Sequence, residues 1–185
     1  MKNSSGRRWI LLLNFVALSV LSAPAGLIID TAKSRVTASF TQMNVPVEAV
    51  FTQVSGFINF DAVHPEKAST SIEVATSSFD LGDADYNAEA RKPEWLASGS
   101  YPKASFVSSA IKPLGDDNYL ATGTLLLKGR SIAVQVPVRI GHPAAAISFD
   151  GSLQISRKAF AIGDASWNEV LADPVTIKFH IVQAR

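Results

Sequence analysis

The chain has 185 residues, of which 47% are hydrophobic and 18% are charged, and its formal net charge at pH 7 is +1. It contains no cysteine, which excludes disulfides, thiolate metal sites and a cysteine-attached lipid anchor. A charge so close to zero gives no long-range attraction for phosphates, so nucleic-acid binding is not expected.

The first 25 residues have the pattern of a secretory signal peptide. Lys2, Arg7 and Arg8 form a basic start, an apolar run follows at positions 9–21, and cleavage is predicted near Ala25. The apolar run is shorter than the about 20 residues that a membrane-spanning helix needs. An uncleaved anchor is the alternative, and the choice between general secretory and twin-arginine export stays open. We therefore expect an exported, periplasmic protein.

Residues 26–185 are predicted to form one soluble domain. Removal of the first 25 residues takes away three basic residues and no acidic residue, so the formal charge changes from +1 to −2. Without disulfides the domain must be stabilised by its own core, and a chain of about 160 residues can supply one.

Apolar and polar residues alternate with period two along most of this domain, which predicts about eight antiparallel strands. The predicted strands cover positions 27–43, 47–60, 70–75, 104–111, 119–127, 132–140, 147–155 and 175–181. Turns are expected at positions 115–118 and at Lys128-Gly129, and Pro137 indicates a sheet edge or a bulge. Strands in series favour an all-β barrel or sandwich over a parallel α/β sheet. An eight-stranded barrel can be filled by side chains or can hold one small ligand, and the alternation does not decide between them.

Positions 79–106 form the one long segment that interrupts the strand pattern. Asp83 or Asp85 is expected to cap a short Ala- and Glu-rich helix, because carboxylates stabilise helix N-termini. The alternative, a calcium loop that starts at Asp83, has Ala88 where the sharp turn needs glycine. We predict that this insertion builds the mouth of a container.

No catalytic set is assembled in the sequence. His64, His142 and His180 lack any metal-ligand spacing and are expected to be solvated, so neither a metal nor a cofactor is predicted. An enzyme that acts on a lipid through Asp80 or Asp83 is the less favoured alternative.

Arg157 is the charged residue with the strongest claim to a binding role. It ends a strand whose inward face contains Ile155, so period two points the guanidinium inward. There it could orient a polar headgroup, or it could pair with Glu169, Asp164 or Asp173.

A series of short motifs, in order from Leu27 to Gln183, resembles the YceI-like family of exported lipid-binding proteins. The motifs are FTQMNVPVE at 40–48, VSGF at 54–57, FD at 60–61, SFD at 78–80, NAE at 87–89, PEWL at 93–96, YPKASF at 101–106, GTLLLKG at 123–129 and ISRKAFAIG at 155–163. The chain departs from the family at Ala161, where glycine is common.

This resemblance implies a lipocalin-like antiparallel barrel with a helical element near its mouth and a polyisoprenoid, such as a quinone tail, in an apolar lumen. No catalytic residue is implied. Trp95, Leu96 and Trp167 are expected near the opening, and Tyr86 and Arg157 are candidates for polar contacts. The full predicted set of ligand-binding residues is Phe40, Phe51, Phe57, Tyr86, Trp95, Leu96, Phe106, Val136, Phe149, Ile155, Arg157, Trp167 and Phe179.

The predicted function is therefore a periplasmic carrier that sequesters an isoprenoid or similar amphiphile. The alternative is a filled-barrel stress or interaction protein that serves a membrane redox partner without transporting a ligand. The sequence is compatible with transient contact of the protein with a membrane and with formation of a homodimer.

Overall fold

A computed structural model of the chain describes residues 27–61, 63–143 and 146–184. The predicted signal peptide and its cleavage site at Ala25 lie outside these residues. The described residues form eleven strands and one α-helix. They are β1 (Leu27–Ile28), β2 (Arg35–Gln42), β3 (Val45–Phe51), β4 (Val54–Asn59), β5 (Ser69–Ala75), β6 (Phe79–Asp80), α1 (Ala84–Ala90), β7 (Lys103–Gly115), β8 (Asn118–Leu127), β9 (Arg130–Gly141), β10 (Ala146–Ser156) and β11 (Pro174–Ala184).

All eleven strands belong to one antiparallel sheet with the order β1-β4-β5-β7-β8-β9-β10-β11-β2-β3-β6. The sheet curls until its first strand reaches β11. Ile29, directly after β1, forms a bridge with Gln183, and the Asp30 N–H donates to the Val182 carbonyl at 2.7 Å. The sheet is therefore curled and barrel-like, which is one of the two all-β architectures that the alternation favoured.

The predicted count of eight strands is too low. Two of the predicted ranges each contain two strands: 27–43 holds β1 and β2, which a turn separates, and 47–60, which is long enough for two strands, holds most of β3 and all of β4, with Thr52 and Gln53 between them. The further strand, β6, lies at the start of the segment that was predicted to interrupt the strand pattern. Hydrophobic alternation continues through such bends, because a bend changes the direction of the chain more than the face that a side chain occupies.

The alternation separates the interior of the barrel from its surface, as β9 shows. Val136 and Ile140 are buried, with 4% and 3% of their surface exposed, whereas Gln135, Pro137 and Arg139 are exposed. Burial of one face of each strand is the main stabilising contribution in such a fold, at about 25 cal/mol per Å² of apolar surface.

Pro137 lies where β9 loses one of its neighbours. Strand β9 pairs with β8 from Arg130 to Arg139, but it pairs with β10 only from Val138 to Gly141. The missing N–H of proline therefore costs no hydrogen bond towards β10, which agrees with the predicted edge position.

Both predicted hairpin turns are present and use left-handed backbone. Asp116 and Asp117 have φ values of 51° and 59°, and Lys128 and Gly129 have values of 49° and 73°. Two successive residues with positive φ are typical of the two-residue hairpin turn that matches the twist of the strands.

Among the helices in the described part of the chain, none has the length and apolar character of a membrane span.

Candidate functional site

The interior of the barrel contains two connected levels of apolar space, which we call the inner chamber and the outer chamber. The inner chamber has a volume of about 170 Å³ and the outer chamber has a volume of about 440 Å³. Ligand pockets typically measure about 300–1,000 Å³, so the outer chamber alone falls within that range.

The inner chamber is lined by the inward faces of the strands and lies at the end of the barrel away from α1. Aromatic rings pack edge to face there: Phe60 lies 5.2 Å from Tyr119 and 5.9 Å from Phe149, measured between ring centroids. Among the described residues that line it, only Thr70, Ser105 and Tyr119 have polar side chains. This chamber is suited to hydrocarbon and offers little to a polar group.

Four side chains face both chambers and form what we call the waist: Phe51, Leu127, Ile155 and Ile177. They come from β3, β8, β10 and β11, of which β10 and β11 are neighbours in the sheet. The waist therefore marks the level at which the two chambers adjoin.

The outer chamber is covered by the insertion between β6 and β7. Helix α1 contributes Tyr86, Glu89 and Ala90 to its lining, and the rings of Trp95 and Trp167 meet edge to face at 4.8 Å. The prediction that this insertion forms the mouth of the container is confirmed in its geometry.

Hydrogen bonds from its own residues hold α1 in place. The Asp83 carboxylate caps the helix by accepting from the N–H groups of Asp85 and Tyr86 at 2.9 and 3.1 Å, as predicted. Asn87 donates from Nδ2 to Asp80 at 2.8 Å and accepts from the Leu81 N–H at 2.7 Å. The pKa of Asp80 is lowered by the Asn87 hydrogen bond first, then by the Gly82 N–H. Asp80 and Asp83 thus have structural roles here.

Glu89 is the one carboxylate that the described part of the chain contributes to the lining of the outer chamber. It accepts from Trp95 Nε1 at 3.2 Å and pairs with Lys92 at 2.5 Å. Its pKa is lowered by the Lys92 hydrogen bond first and by the Trp95 hydrogen bond second. Glu89 is therefore ionised at neutral pH, and its charge is balanced by that of Lys92.

Arg157 is buried in the wall of the outer chamber, with 1% of its surface exposed. Its guanidinium donates to the carbonyls of Ala172 (3.1 Å), Ile162 (2.9 Å) and Leu171 (3.0 Å) and to Asn168 Oδ1 (3.0 Å). Of its three predicted ion-pair partners, Asp164, Glu169 and Asp173, none lies within ion-pair distance in the described residues. The guanidinium instead ties the loop that precedes β11 to the end of β10.

Lys128 connects the β8–β9 hairpin to the same rim. Its ammonium donates to the carbonyls of Glu94 at 2.9 Å and Ala161 at 2.6 Å. Burial lowers the pKa of Lys128, and the nearby Arg130 lowers it further. The loops of the mouth are thus joined by positively charged side chains, which donate hydrogen bonds to backbone carbonyls.

The structure places twelve of the thirteen predicted ligand-binding residues in the chamber linings. The inner chamber contains Phe106, Val136, Phe149 and Phe179, the outer chamber contains Phe40, Tyr86, Trp95, Leu96, Arg157 and Trp167, and the waist contains Phe51 and Ile155. Phe57 is the correction, because it lines neither chamber. Its neighbour Ile58 faces the inner chamber, so period two directs Phe57 to the opposite face of β4.

Several lining residues were missing from the predicted set, although their strands had been predicted. Tyr119, Leu127 and Ile177 share inward faces with residues that were named. The signal that identifies them is the same alternation, which has to be applied to aliphatic and aromatic residues alike.

The three histidines lie on the surface of the protein. Their side chains are between 44% and 51% exposed and approach Glu66, Asp117 and Asp150. No group of three or more His, Cys, Asp or Glu side chains able to hold a metal ion occurs in the residues that the structure describes.

Comparison with known sequences gives the family. The YceI-like domain matches residues 27–183, so the chain belongs to the YceI-like family. It is similar to a UPF0312 protein of Azotobacter vinelandii, with 28% identity over 121 residues, and to one of Pseudomonas syringae pv. tomato, with 31% identity over 83 residues. These matches span 60% and 45% of this chain, and they span 62% and 43% of the lengths of the two relatives.

Comparison with solved structures gives the same fold. The crystal structure of BcnA from Burkholderia cenocepacia has a TM-score of 0.81 and 42% identity, over 84% of this chain and 99% of BcnA. A polyisoprenoid binding domain from Saccharophagus degradans has a TM-score of 0.66 and 18% identity, over 86% of this chain and 99% of that domain. The YCEI protein of Campylobacter jejuni has a TM-score of 0.70 and 19% identity, over 75% and 85% of the two chains.

Proposed function

We propose that this protein is a periplasmic carrier that sequesters a polyisoprenoid or similar amphiphilic lipid inside its barrel, and that it acts by binding rather than by catalysis. The observation that supports the proposal best is the outer chamber of about 440 Å³, which is lined mainly by hydrocarbon and covered by the insertion. An apolar ligand gains about 25 cal/mol for each Å² that it buries in such a site.

The distribution of polar groups orients the ligand. Gln42, Tyr86, Glu89 and Arg157 all line the outer chamber, whereas the polar lining of the inner chamber is limited to two hydroxyls and a phenol. A polar head therefore fits in the outer chamber, and an apolar tail points towards the waist.

The charges around the outer chamber favour a neutral head that accepts hydrogen bonds. The ion pair of Glu89 with Lys92 has no net charge, and Arg157 already uses four of its five N–H donors on protein acceptors. One guanidinium N–H and the Tyr86 hydroxyl are then available to carbonyl or ether oxygens, which matches a quinone ring better than a phosphate.

The relatives are consistent with a lipid ligand. The chain belongs to the YceI-like family, and a domain described as polyisoprenoid binding shares its fold. The periplasmic location rests on the predicted signal peptide at residues 1–25.

Two rival functions receive less support. A filled-barrel interaction protein has no need for a chamber of this size. An enzyme that uses Asp80 or Asp83 would need a free carboxylate, and both carboxylates accept hydrogen bonds that shape α1.

Native mass spectrometry of the protein, purified from its host without denaturant, tests the proposal directly. We expect a species heavier than the chain alone, and we expect solvent extraction of the same sample to release an amphiphilic lipid. A sample stripped of lipid and then titrated with a quinone provides the control. A chain that has no added mass and binds no quinone would show that the carrier function is wrong.

A further inference from the structure

Three exposed apolar side chains border the mouth of the barrel, and we call them the apolar edge. They are Met43 and Val45, at the tip of the β2–β3 hairpin, and Tyr86, in the first turn of α1, and they are 70%, 60% and 67% exposed. The hairpin tip lies at the mouth, because the Met43 N–H donates to the Val170 carbonyl at 2.7 Å, next to Leu171 of the outer-chamber lining. Exposed apolar groups beside a binding site are typical of a contact surface.

Methionine is an unusual residue at the position that Met43 occupies. Met43 and Asn44 form the β2–β3 turn with φ values of 49° and 64°, and such turns favour glycine, asparagine or aspartate. The corresponding residue of the β7–β8 turn is Asp116, which is a favoured type, and that of the β8–β9 turn is Lys128, whose ammonium bonds two carbonyls. The Met43 side chain serves neither the turn nor the core, so it is available for a contact outside the chain.

The apolar edge flanks a part of the chamber wall that we call the junction, between β3 and α1. Strand β3 pairs with β6 only at Val50 and Phe51, so Val45–Ala49 has no strand partner on that side in the described residues. Val47 from this stretch and Tyr86 from α1 both line the outer chamber. Among the described residues, no hydrogen bond or ion pair joins α1 to β3. A ligand that passes through the junction therefore separates side chains without breaking such a bond.

The insertion is attached by directional bonds on its other sides. The Glu94 carbonyl accepts from the Gly163 N–H at 2.8 Å and from the Lys128 ammonium at 2.9 Å. Arg91 Nε donates to the Ser77 carbonyl at 3.0 Å. Passage on these sides would leave donors and acceptors unpaired, which makes the junction the easiest route into the outer chamber.

The charges near the apolar edge limit the kind of surface that it can meet. Positions 40–50 and 81–88 contain Glu48, Asp83 and Asp85 but no lysine or arginine. Carboxylates repel a bilayer face rich in anionic phosphatidylglycerol, and they attract the ammonium groups of phosphatidylethanolamine. The partner that fits is a bilayer with zwitterionic headgroups.

We propose that the apolar edge is a docking surface for a lipid bilayer, and that the protein loads and releases its ligand through the junction while it is docked. This inference rests on the proposed carrier function and adds the surface from which the carrier is loaded. Three side chains bury too little apolar area for stable attachment, so the contact is transient and the loaded protein leaves the bilayer.

Labelling at single engineered cysteines tests the docking step, because the chain has no cysteine of its own. The polarity-sensitive fluorophore NBD is attached at Val45→Cys and, as the matched control, at Leu114→Cys, in protein purified from its host after export. The two positions are 60% and 64% exposed, and Leu114 lies beside the β7–β8 turn at the far end of the barrel. With vesicles of phosphatidylethanolamine and phosphatidylcholine, we expect NBD emission to rise at least threefold at position 45 and less than 1.3-fold at position 114.

Transfer of a quinone from vesicles tests the loading step. Vesicles that contain ubiquinone with ten isoprene units are mixed with lipid-free protein, and quenching of the two tryptophans in the outer-chamber lining reports the rate. We expect the double variant Met43→Asn with Val45→Ser to slow transfer at least fivefold. Asparagine suits the turn, so loss of folding cannot explain that result. The matched pair Ile28→Ser with Leu114→Ser, which are exposed positions away from the mouth, should change the rate less than 1.5-fold.

Binding of a water-soluble ubiquinone with two isoprene units separates docking from the ligand site. Its affinity should change less than twofold in both double variants, since none of the four residues lines either chamber. A loss of affinity that matches the loss of transfer rate would contradict a role in docking.

Other results would also overturn the inference while leaving the carrier function standing. Equal NBD responses at the two positions, or no response at either, would show that the apolar edge does not meet the bilayer. A response at position 45 that needs no vesicles and grows with protein concentration would assign the edge to a second copy of the chain. Unchanged transfer in the Met43→Asn, Val45→Ser variant would show that loading does not use this surface. If the short ubiquinone binds to no variant and not to the wild type, the carrier function fails together with the loading route.

Discussion

The far end of the barrel and its mouth are closed by different means. At the far end, regular strands and tight hairpins bring Phe60, Tyr119 and Phe149 into edge-to-face contact around a chamber of about 170 Å³. At the mouth, α1 and the loops around Trp95 and Arg157 enclose about 440 Å³ and are held by hydrogen bonds to backbone carbonyls. Apolar packing fixes the end that a tail would approach, whereas directional bonds fix the end that a head would occupy.

The largest expected effect comes from the hydrogen bonds of Arg157. Arg157→Met keeps an unbranched apolar stem but leaves three backbone carbonyls and the Asn168 amide without their donor. Each buried unsatisfied group costs about 1–3 kcal/mol, so we expect unfolding free energy to fall by about 3–5 kcal/mol once water from the mouth satisfies some of them. The measurement is urea-induced unfolding.

Arg130→Met provides the control for that comparison. Arg130 is exposed and donates to a single carbonyl, that of Ala159, at 2.8 Å. Its loss should cost less than about 1 kcal/mol. Equal losses for the two variants would contradict the view that a buried arginine holds the mouth together.

The next largest effect is a loss of ligand affinity, which we expect to differ between substitutions in the two chambers. Ala38 lines the outer chamber and Ala121 lines the inner one, and both are 4% exposed. Leucine at either position overpacks the core at a cost of about 1–3 kcal/mol. Ala38→Leu fills space beside the polar groups of the outer chamber, so it should also weaken quinone binding by about tenfold, or about 1.4 kcal/mol, and by more than Ala121→Leu does. The measurement is calorimetric titration of both variants. An equal loss of affinity in Ala121→Leu would refute the assignment of the ligand's polar head to the outer chamber.

A smaller effect, with the opposite sign, is expected at Ala161. Its φ and ψ angles of 53° and 40° place it in the left-handed region, at the end of the 3-10 helix Lys158–Phe160. Glycine adopts this conformation without strain, so Ala161→Gly should stabilise the protein by about 0.5–1 kcal/mol. Ala159→Gly, inside the same short helix, should destabilise it by a similar amount. Thermal unfolding of both variants distinguishes a local backbone effect from a general effect of glycine.

The smallest effect is a loosening of the mouth in acid. The Asn87 and Gly82 hydrogen bonds lower the pKa of Asp80 below its ordinary value of 3.8. The folded state therefore favours the carboxylate, so its stabilising contribution is complete above the ordinary pKa and is lost as the pH falls through the lowered one. Amide exchange in α1 should rise below about pH 4, while exchange in β8 around Tyr119 should not. Asp80→Asn should remove this pH dependence, and an unchanged profile in that variant would rule out Asp80 as its origin.

Sequence periodicity was sufficient to predict which side chains of the regular strands face the interior of the barrel, but neither the open space between them nor the details of the mouth. Val136, Phe149 and Phe179 lie on strands that alternate cleanly, so their inward orientation follows from period two. Phe57 and Ile58 are consecutive apolar residues, and alternation alone cannot decide which of them faces inward. Pairing of β4 with β1, where Phe57 lies opposite Ile28, and with β5 settles the choice.

The partners of Arg157 could not have been identified from residue types. Sequence reasoning considered three carboxylates, because an arginine that points inward needs compensation. The actual acceptors are mostly backbone carbonyls of the residues at 162–172, and every residue type carries a carbonyl. Their positions depend on the path of the loop, which forms only when the barrel is assembled.

The bridge between Ile29 and Gln183 has a consequence for how the protein is made. These two residues stand near opposite ends of the described chain, and Gln183 also donates from Nε2 to the Ile58 carbonyl at 2.7 Å. The last seam of the sheet can form only after the strand that contains Gln183 has been synthesised, and contacts that are so distant along the chain form slowly. A nascent chain that has not yet reached Gln183 would therefore lack this seam, and its curled sheet would stay open along β1.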